Sequence, residues 1–388
     1  MKPKKSAETV FSIVINVDDC IIGTNYSDIN ISRSIGGMGT GGLCTASLSF
    51  AIPKEDYGVF RPAKKAPMTT ILIYKQDGTI IETPTFYVDS RMCSSGKIKF
   101  TCYDRMAFAD GIYFYESDLE NVPEFASAIA EKTSKNDIPY ISPLIMVNVI
   151  ARKMGISYGG GLDLTLIKDI DVESLPGTSC SEWLEKFAAA ECGFFYISNS
   201  DALRFSRFNA ECGYVNITND YTKPDIGDTL IISEIIVSGD SGKRYEYIYE
   251  DDPGGLTLNI NGGSLVNRST SESLAQMILG TTYTYWSVEK AVINNIPLVN
   301  SRCSLYSSID ETPPVYCLAN NISLSIKESG IVASLSANSA GGGEIGQMNG
   351  RISRQLENAV KVNEKLGKHL VMTRYQGIHW EDDEEGDE

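Results

Sequence analysis

Apolar residues recur at every second position over two long stretches of this chain, about Thr9 to Asp104 and Tyr221 to Ala337, and at helical spacing in the middle between them. A period of two places successive side chains on opposite faces of a strand, so that one face can be buried while the other is wetted. Two sheets enclosing a helix-bearing middle is therefore the layout that any fold of this chain must satisfy.

In the first stretch Phe11, Ile13, Ile15 and Val17 share one side of a segment, although Val10 and Val14 are apolar on the other. Cys44, Ala46, Leu48, Phe50 and Ile52 alternate with Thr45, Ser47 and Ser49, and Ile98, Phe100 and Cys102 with Lys97, Lys99 and Thr101. Asp77-Gly78 falls where a tight hairpin needs residues tolerant of positive φ. The pattern is a meander of short antiparallel strands. The second stretch repeats the style with Leu230 to Val237, Arg244 to Glu250, and Ile322 to Ile326 turning through Lys327-Glu328-Ser329-Gly330 into Ile331 to Ser336. A helix over Ser271 to Leu279, stopped by Gly280, interrupts it. Ala-Ser-Leu-Ser occurs in both stretches, at Ala46 to Ser49 and Ala333 to Ser336, and four common small residues carry little weight as a repeat.

The middle offers helices at Val122 to Lys132 and at Pro143 to Met154, the second opened by proline in its first turn and ended by Gly155. Ser179 with Glu182 spells a capping box. Trp183, Leu184, Phe187 and Ala188 then form an apolar stripe, read as core packing rather than a ligand box, and Gly193 is expected to end the helix. Phe194 to Ile197 and Leu203 to Phe208 pair around Asn199-Ser200-Asp201 as a hairpin.

After Gly341-Gly342-Gly343 the pattern changes to a heptad. Ile345, Met348, Ile352, Ala359, Val362 and Leu366 occupy a and d positions, with Gln355 and His369 in the same seam. The expectation is a C-terminal helix from Glu344 to about Tyr375 that self-associates through these six apolar residues, or docks on the protein's own body. Seven acids among the last eight residues close the chain, and removing them takes the net charge from −16 to −9. Stable binding to nucleic acid or an anionic membrane is disfavoured by that balance. A surface that lets DNA pass without sticking would suit it.

Evident reaction chemistry is missing. Gly239-Asp240-Ser241-Gly242 imitates a protease nucleophile loop, which needs a histidine base, whereas the two histidines, His369 and His379, both lie beyond the glycine joint. The tetrapeptide sits between two alternating runs and reads as a hairpin turn. Gly36-Gly37-Met38-Gly39-Thr40-Gly41-Gly42 is followed by a strand and no lysine, unlike a phosphate cradle. No His/Cys pair has zinc spacing, and among 50 carboxylates a glycosidase-type pair has too many candidates to be located. The reading is no enzyme, no cofactor and no metal. Nine cysteines without a Cys-x-x-Cys pair read as small buried hydrophobes of a reducing compartment. No secretory signal and no membrane span is read from the chain.

Cys44-Thr45-Ala46-Ser47-Leu48-Ser49-Phe50, Phe100-Thr101-Cys102-Tyr103-Asp104-Arg105-Met106, the helix-hairpin unit Trp183 to Phe208 with its Cys192-Gly193-Phe194-Phe195-Tyr196 core, and Ile331-Val332-Ala333-Ser334-Leu335-Ser336, taken in order, resemble the baseplate-hub or tail-tip hub family of tailed bacteriophages, found also in contractile injection systems. The resemblance covers residues 9 to 340, and the tail after Gly343 departs from it. It implies an α+β, mostly β fold: two antiparallel barrel-like domains flanking a helix-containing middle domain, with a C-terminal helix. The corresponding boundaries are 1–104 for the first tube domain, 105–220 for the middle, 221–340 for the second tube domain, and 341–388 for glycine joint, heptad helix and acidic tail.

The implied role is structural: a homotrimer whose six tube domains form a pseudo-six-fold ring in a virion tail, assembled in the host cytoplasm. The implied partners are the tail tube or a distal tail protein above, a spike, tip or fibre protein below, and contact with a tape-measure protein. Two rivals are a tail-associated peptidoglycan hydrolase or peptidase, for which the residues after Ser339 are too few to form a module, and a host-surface adhesin using exposed tyrosines.

Overall fold

The computed structural model describes residues 12–17, 20–22, 26–35, 42–58, 68–75, 77–132, 134, 137–162, 167–215, 217, 224–239, 242–249, 255–305, 315–337, 368–373 and 377–382. Residues up to Ala340 make one compact unit and Gly341–Glu388 a second.

The first stretch forms β1 (Ser12–Val17), β2 (Cys20–Ile22), β3 (Ser27–Ser34), β4 (Gly42–Cys44), β5 (Ala46–Pro53), β6 (Met68–Tyr74), β7 (Ile80–Ile81), β8 (Phe86–Ser94) and β9 (Lys97–Tyr103). The Asp77-Gly78 turn is where expected, with Gly78 at φ +81° and Tyr74 opposite Ile80. In the middle are β10 (Tyr140–Ile141), β11 (Ser157–Tyr158), β12 (Ile170–Asp171), β13 (Gly193–Ile197), β14 (Ala202–Arg207) and β15 (Gly213–Tyr214), with helices α1 (Glu116–Asn121), α2 (Pro123–Ala130), α3 (Pro143–Lys153) and α4 (Cys180–Ala190). The second stretch supplies β16 (Asp225–Ser238), β17 (Arg244–Ile248), β18 (Leu256–Asn261), α5 (Arg268–Ile278), β19 (Thr282–Ile293), β20 (Ser301–Leu305), β21 (Val315–Ala319), β22 (Asn321–Lys327) and β23 (Gly330–Ala337).

Among the described residues, fourteen strands of both stretches join one sheet in the order β17-β16-β19-β23-β22-β3-β5-β9-β8-β6-β1-β2, with β18 on β16 and β7 on β6. The order is an open path, and no closed barrel is found there. The fold is mostly β with few helices and mostly antiparallel pairing, as expected. Alternation decides which face is buried: Ile29, Ile31, Leu48, Phe50, Ile98, Phe100, Ile322, Leu324, Ile331 and Leu335 are all buried and form the core side. Phe50 and Phe100 are cross-strand partners stacked at 4.8 Å. Each such aromatic contributes about 1.5–3 kcal/mol by leaving water.

α4 forms for the reasons its sequence carries. Ser179 Oγ accepts from the Glu182 N–H at 3.2 Å, and the Glu182 carboxylate accepts from the Ser179 N–H at 3.1 Å. Trp183, Leu184, Phe187 and Ala188 are buried, as core packing requires. The helix stop needs correction: the left-handed residue after Glu191 is Cys192, at φ +51°, whereas Gly193 already belongs to β13. A Cβ at Gly193 would stand 2.4 Å from the Phe205 ring and from the Ser206 carbonyl, so close strand approach, not helix termination, demands glycine. α5 starts before the expected Ser271, because Asn267 Oδ1 caps it by accepting from the Thr270 N–H at 3.0 Å. Gly280 follows at φ +77°.

In the second unit, β24 (Lys368–Thr373) pairs antiparallel with β25 (Gly377–Asp382). The helix expected to run to about Tyr375 is corrected here: residues 368–373 are strand. Gly367 and Gly377 flank this segment, glycine disfavours helix, and Val371, Thr373, Ile378 and Trp380 favour the pleated conformation.

Candidate assembly interface

The eight central strands fall into two sets with one connectivity. Reading across the sheet, β16, β19, β23 and β22 are followed by β3, β5, β9 and β8. In chain order each set runs first, second, fourth, third, ending in a tight hairpin: β22 to β23 in one set, β8 to β9 in the other. All seven pairings are antiparallel, so equivalent strands also point the same way. The sets differ by what is inserted, with β17, β18 and α5 between β16 and β19.

The sets meet where β22 pairs β3 over six residue pairs, from Asn321 opposite Ser34 to Ile326 opposite Ile29. This seam is head to tail: the last strand of one set meets the first strand of the next. The outer ends of the array keep the same two strand types. From Val88 to Ser94, β8 pairs only β9 among the described strands, and from Asp225 to Ile231, β16 pairs only β19. Met92 on the β8 edge is an apolar side chain 67% exposed. Unpaired edges of this kind recruit further strands unless blocked.

Registers locate the equivalent contact. Ser323 faces Ser32 across the seam. Counted from the hairpins, Ser90 takes the place of Ser323, each lying opposite the fifth residue after the turn, Thr101 and Ser334. Counted through β9 with β5 and β23 with β19, Asp225 takes the place of Ser32.

The face opposite the core is a neutral one over its centre. Ser334, Ser323, Ser32, Ser47 and Tyr103 form one row across five strands, and Ser325, Asn30, Ser49 and Thr101 the next. Ser32 Oγ and Ser47 Oγ are 2.7 Å apart. Charge gathers toward one end of the strands, where Lys97 Nζ stands 3.7 Å from the Asp28 carboxylate.

Behind the seam lies a polar knot. Arg33 occupies a core-side position of β3, 3% exposed. Its Nη2 donates to Asn199 Oδ1 at 2.7 Å and its Nη1 to the Pro297 carbonyl at 3.3 Å, while Asn199 Nδ2 donates to the Ile296 carbonyl at 3.0 Å. Asp201, on the same β13–β14 turn, accepts from the Thr85 N–H at 2.7 Å and from Thr85 Oγ1 at 2.5 Å. One hairpin tip of the middle thus grips β3, the approach to β8, and the segment after β19. Asp104, 1% exposed, accepts from the Ala46 and Met106 N–H groups at 2.9 and 3.1 Å. Burial raises its pKa to about 7, against the lowering effect of those bonds and of the Arg33 charge. The sequence marked Asn199 and Asp201 only as turn residues and Asp104 only as part of a motif; for Arg33 the available signal was the break in alternation where it follows Ile29 and Ile31 at the same spacing.

The seam residues expected in the heptad, Ile345, Met348, Ile352, Ala359, Val362 and Leu366, lie outside the described residues. Asp240 and Ser241 do as well; on either side of them the Gly239 N–H donates to the Lys243 carbonyl at 2.8 Å and β16 pairs antiparallel with β17. Among the described residues no cluster of His, Cys, Asp or Glu is placed to hold a metal ion, and no helix is long and apolar enough to cross a membrane.

The fold has counterparts among solved structures. The chain is similar to the 43 kDa tail protein of prophage MuSo2 from Shewanella oneidensis, with a TM-score of 0.50 and 15% identity over 84% of this chain and 98% of that one. It is also similar to the prophage tail protein gp18 from Listeria monocytogenes EGD-e, with a TM-score of 0.48 and 11% identity over 90% of this chain and 99% of that one. A type VI secretion system component of E. coli aligns at a TM-score of 0.40 and 6% identity over 84% of this chain and 77% of that one. The resemblance read from the sequence is borne out in fold by the MuSo2 neighbour, itself a tail protein. No family profile matches the chain, and no curated protein matches it.

Proposed function

We propose that this chain is the structural hub of a phage tail tip or baseplate. Three copies close into a ring of six four-strand sets that joins a hexameric tail tube to a spike or tip, each set with its packed strands making one barrel-like tube domain. The observation that carries the reading is the head-to-tail β22–β3 seam. Repeating that contact between copies brings the β8 edge of one chain to the β16 edge of the next, a heterologous interface that closes when the rotation allows. The number three comes from the hub resemblance and from two sets per chain.

In such a ring the serine-rich face lines the lumen. Hydroxyls hydrate well and carry no charge, so a passing polyanion finds neither a sink nor a wall there. The tube or distal tail protein stacks above, a spike, tip or fibre protein below, and a tape-measure protein threads the ring. The heptad residues Ile345 to Leu366 add a second contact between copies. The role is architectural and the location a virion tail. Negative-stain imaging of the isolated assembly tests the reading: a three-fold ring with a central channel supports it, and a monodisperse monomer at micromolar concentration refutes it.

A further inference from the structure

Cys303 on β20 and Cys317 on β21 stand directly opposite each other in an antiparallel pair. Side chains opposed in this way leave the same face of the sheet. The Cα separations of antiparallel partners, about 4.5 or 5.5 Å, both fall inside the range a disulfide spans. Both cysteines are thiols, 0% and 4% exposed. Cys317 also lines a cavity of about 420 Å³, with Phe208, Ile232, Tyr283 and Cys192 among its other walls, which gives a small oxidant a way in. Burial pushes the Cys317 thiol up to about 11, and burial followed by the neighbouring Cys317 raises Cys303.

We propose that Cys303 and Cys317 form a redox staple, closed by exchange with a low-molecular-mass disulfide such as oxidised glutathione. Cys317 loses its proton to solvent and its thiolate attacks one sulfur of the small disulfide, whose S–S bond breaks to release one thiolate. Cys303, deprotonated in turn, attacks the Cys317 sulfur of the mixed disulfide and expels the second. Two protein thiols are oxidised by two electrons, one small disulfide is reduced to two thiols, and the protons balance in solvent. The bond closes the segment from Ser304 to Tyr316. It ties together two strands of the sheet that also holds β15, beside Leu318, whose carbonyl accepts from Trp286 Nε1 of β19 at 3.0 Å. A reducing thiol pool keeps the staple open and an oxidising one shuts it.

The test uses the folded full-length chain, incubated with oxidised glutathione in mildly alkaline buffer, quenched by denaturing alkylation and digested with trypsin. No Lys or Arg separates Cys303 from Lys327, so both thiols fall in one peptide. The expected product carries no alkyl group and weighs about two mass units less than the dithiol. Cleavage after Glu311 then leaves two fragments still joined. Its formation rate rises about tenfold per pH unit between roughly pH 7 and 10, as thiolate becomes available. With Cys303→Ser the reaction stops at glutathione on Cys317. Two alkylated thiols in the oxidised wild type, a stable glutathione adduct on Cys317, or a Cys192–Cys317 link would each overturn the proposal.

Discussion

Arg33 Nη2 donates to Asn199 Oδ1 at 2.7 Å, joining a seam strand to a hairpin tip 166 residues later in the chain. Arg33 is buried and Asn199 half-buried, and each satisfies a partner in a third segment, at Pro297 and Ile296. Arg33→Met leaves those acceptors unpaired and removes a charge that Asp104 feels, so a loss of about 3–5 kcal/mol is expected, against about 1–3 kcal/mol for Asn199→Ala. Because the bond is shared, the double variant loses less than the two losses combined. Urea unfolding of the four proteins measures this, and strict additivity would show the knot to be two independent contacts.

Asp104 makes stability depend on pH in a defined direction. Its folded pKa, about 7, lies above the ordinary carboxylate value of 3.8. Between these values the folded state holds a proton that the unfolded state lacks. The contribution is therefore complete below about pH 4, is lost as pH rises toward 7, and is flat above, with a slope of at most about 1.4 kcal/mol per pH unit. Unfolding curves at pH 5, 6, 7 and 8 should show wild type losing its margin over Asp104→Asn as pH rises. A margin that widens instead would contradict the assignment.

Gly193→Ala places a methyl against the Phe205 ring and the Ser206 carbonyl, at 2.4 Å from each. Neither strand can yield without disturbing the β13–β14 pairing, and a loss of about 1–3 kcal/mol or more follows from overpacking. Thermal unfolding reads it directly; a variant as stable as wild type would show that the hairpin relaxes freely.

Much of this fold was legible where periodicity and capping agree. The serine faces of β5 and β23, the Asp77-Gly78 turn, the α4 capping box and the Asn199–Asp201 hairpin all follow from short-range rules. The helix α1 was not legible, since it buries no residue and so shows no apolar stripe. Nor was the pairing of β22 with β3, because partners about 290 residues apart share no local signal. The Ala-Ser-Leu-Ser repeat lies on β5 and β23, which are not equivalent strands, whereas the true repeat is one of connectivity. At 368–373, a heptad continued past Leu366 misled, because spacing alone outweighed the β-forming residues beside it. Ser90 and Asp225, which the proposed contact between copies would bring together, carry no individual mark in the sequence, and only the strand order relates them.

The heptad residues between Glu344 and Leu366 are expected to help copies associate. Ile352→Asp with Leu366→Asp should weaken the oligomer and leave the far-ultraviolet circular dichroism of the β sheets intact. Light scattering on wild type and double variant checks this, and an unchanged oligomer would remove the heptad from the assembly.

The central claim is that copies meet as the two sets meet within one chain, with Ser90 placed against Asp225 as Ser323 is placed against Ser32. Ser90→Cys combined with Asp225→Cys, oxidised and run on a non-reducing gel, tests it most directly. The account predicts covalent dimers and trimers that collapse to monomer on reduction and are missing from either single variant. A double variant that stays monomeric on the gel, while light scattering shows the oligomer intact, would contradict it.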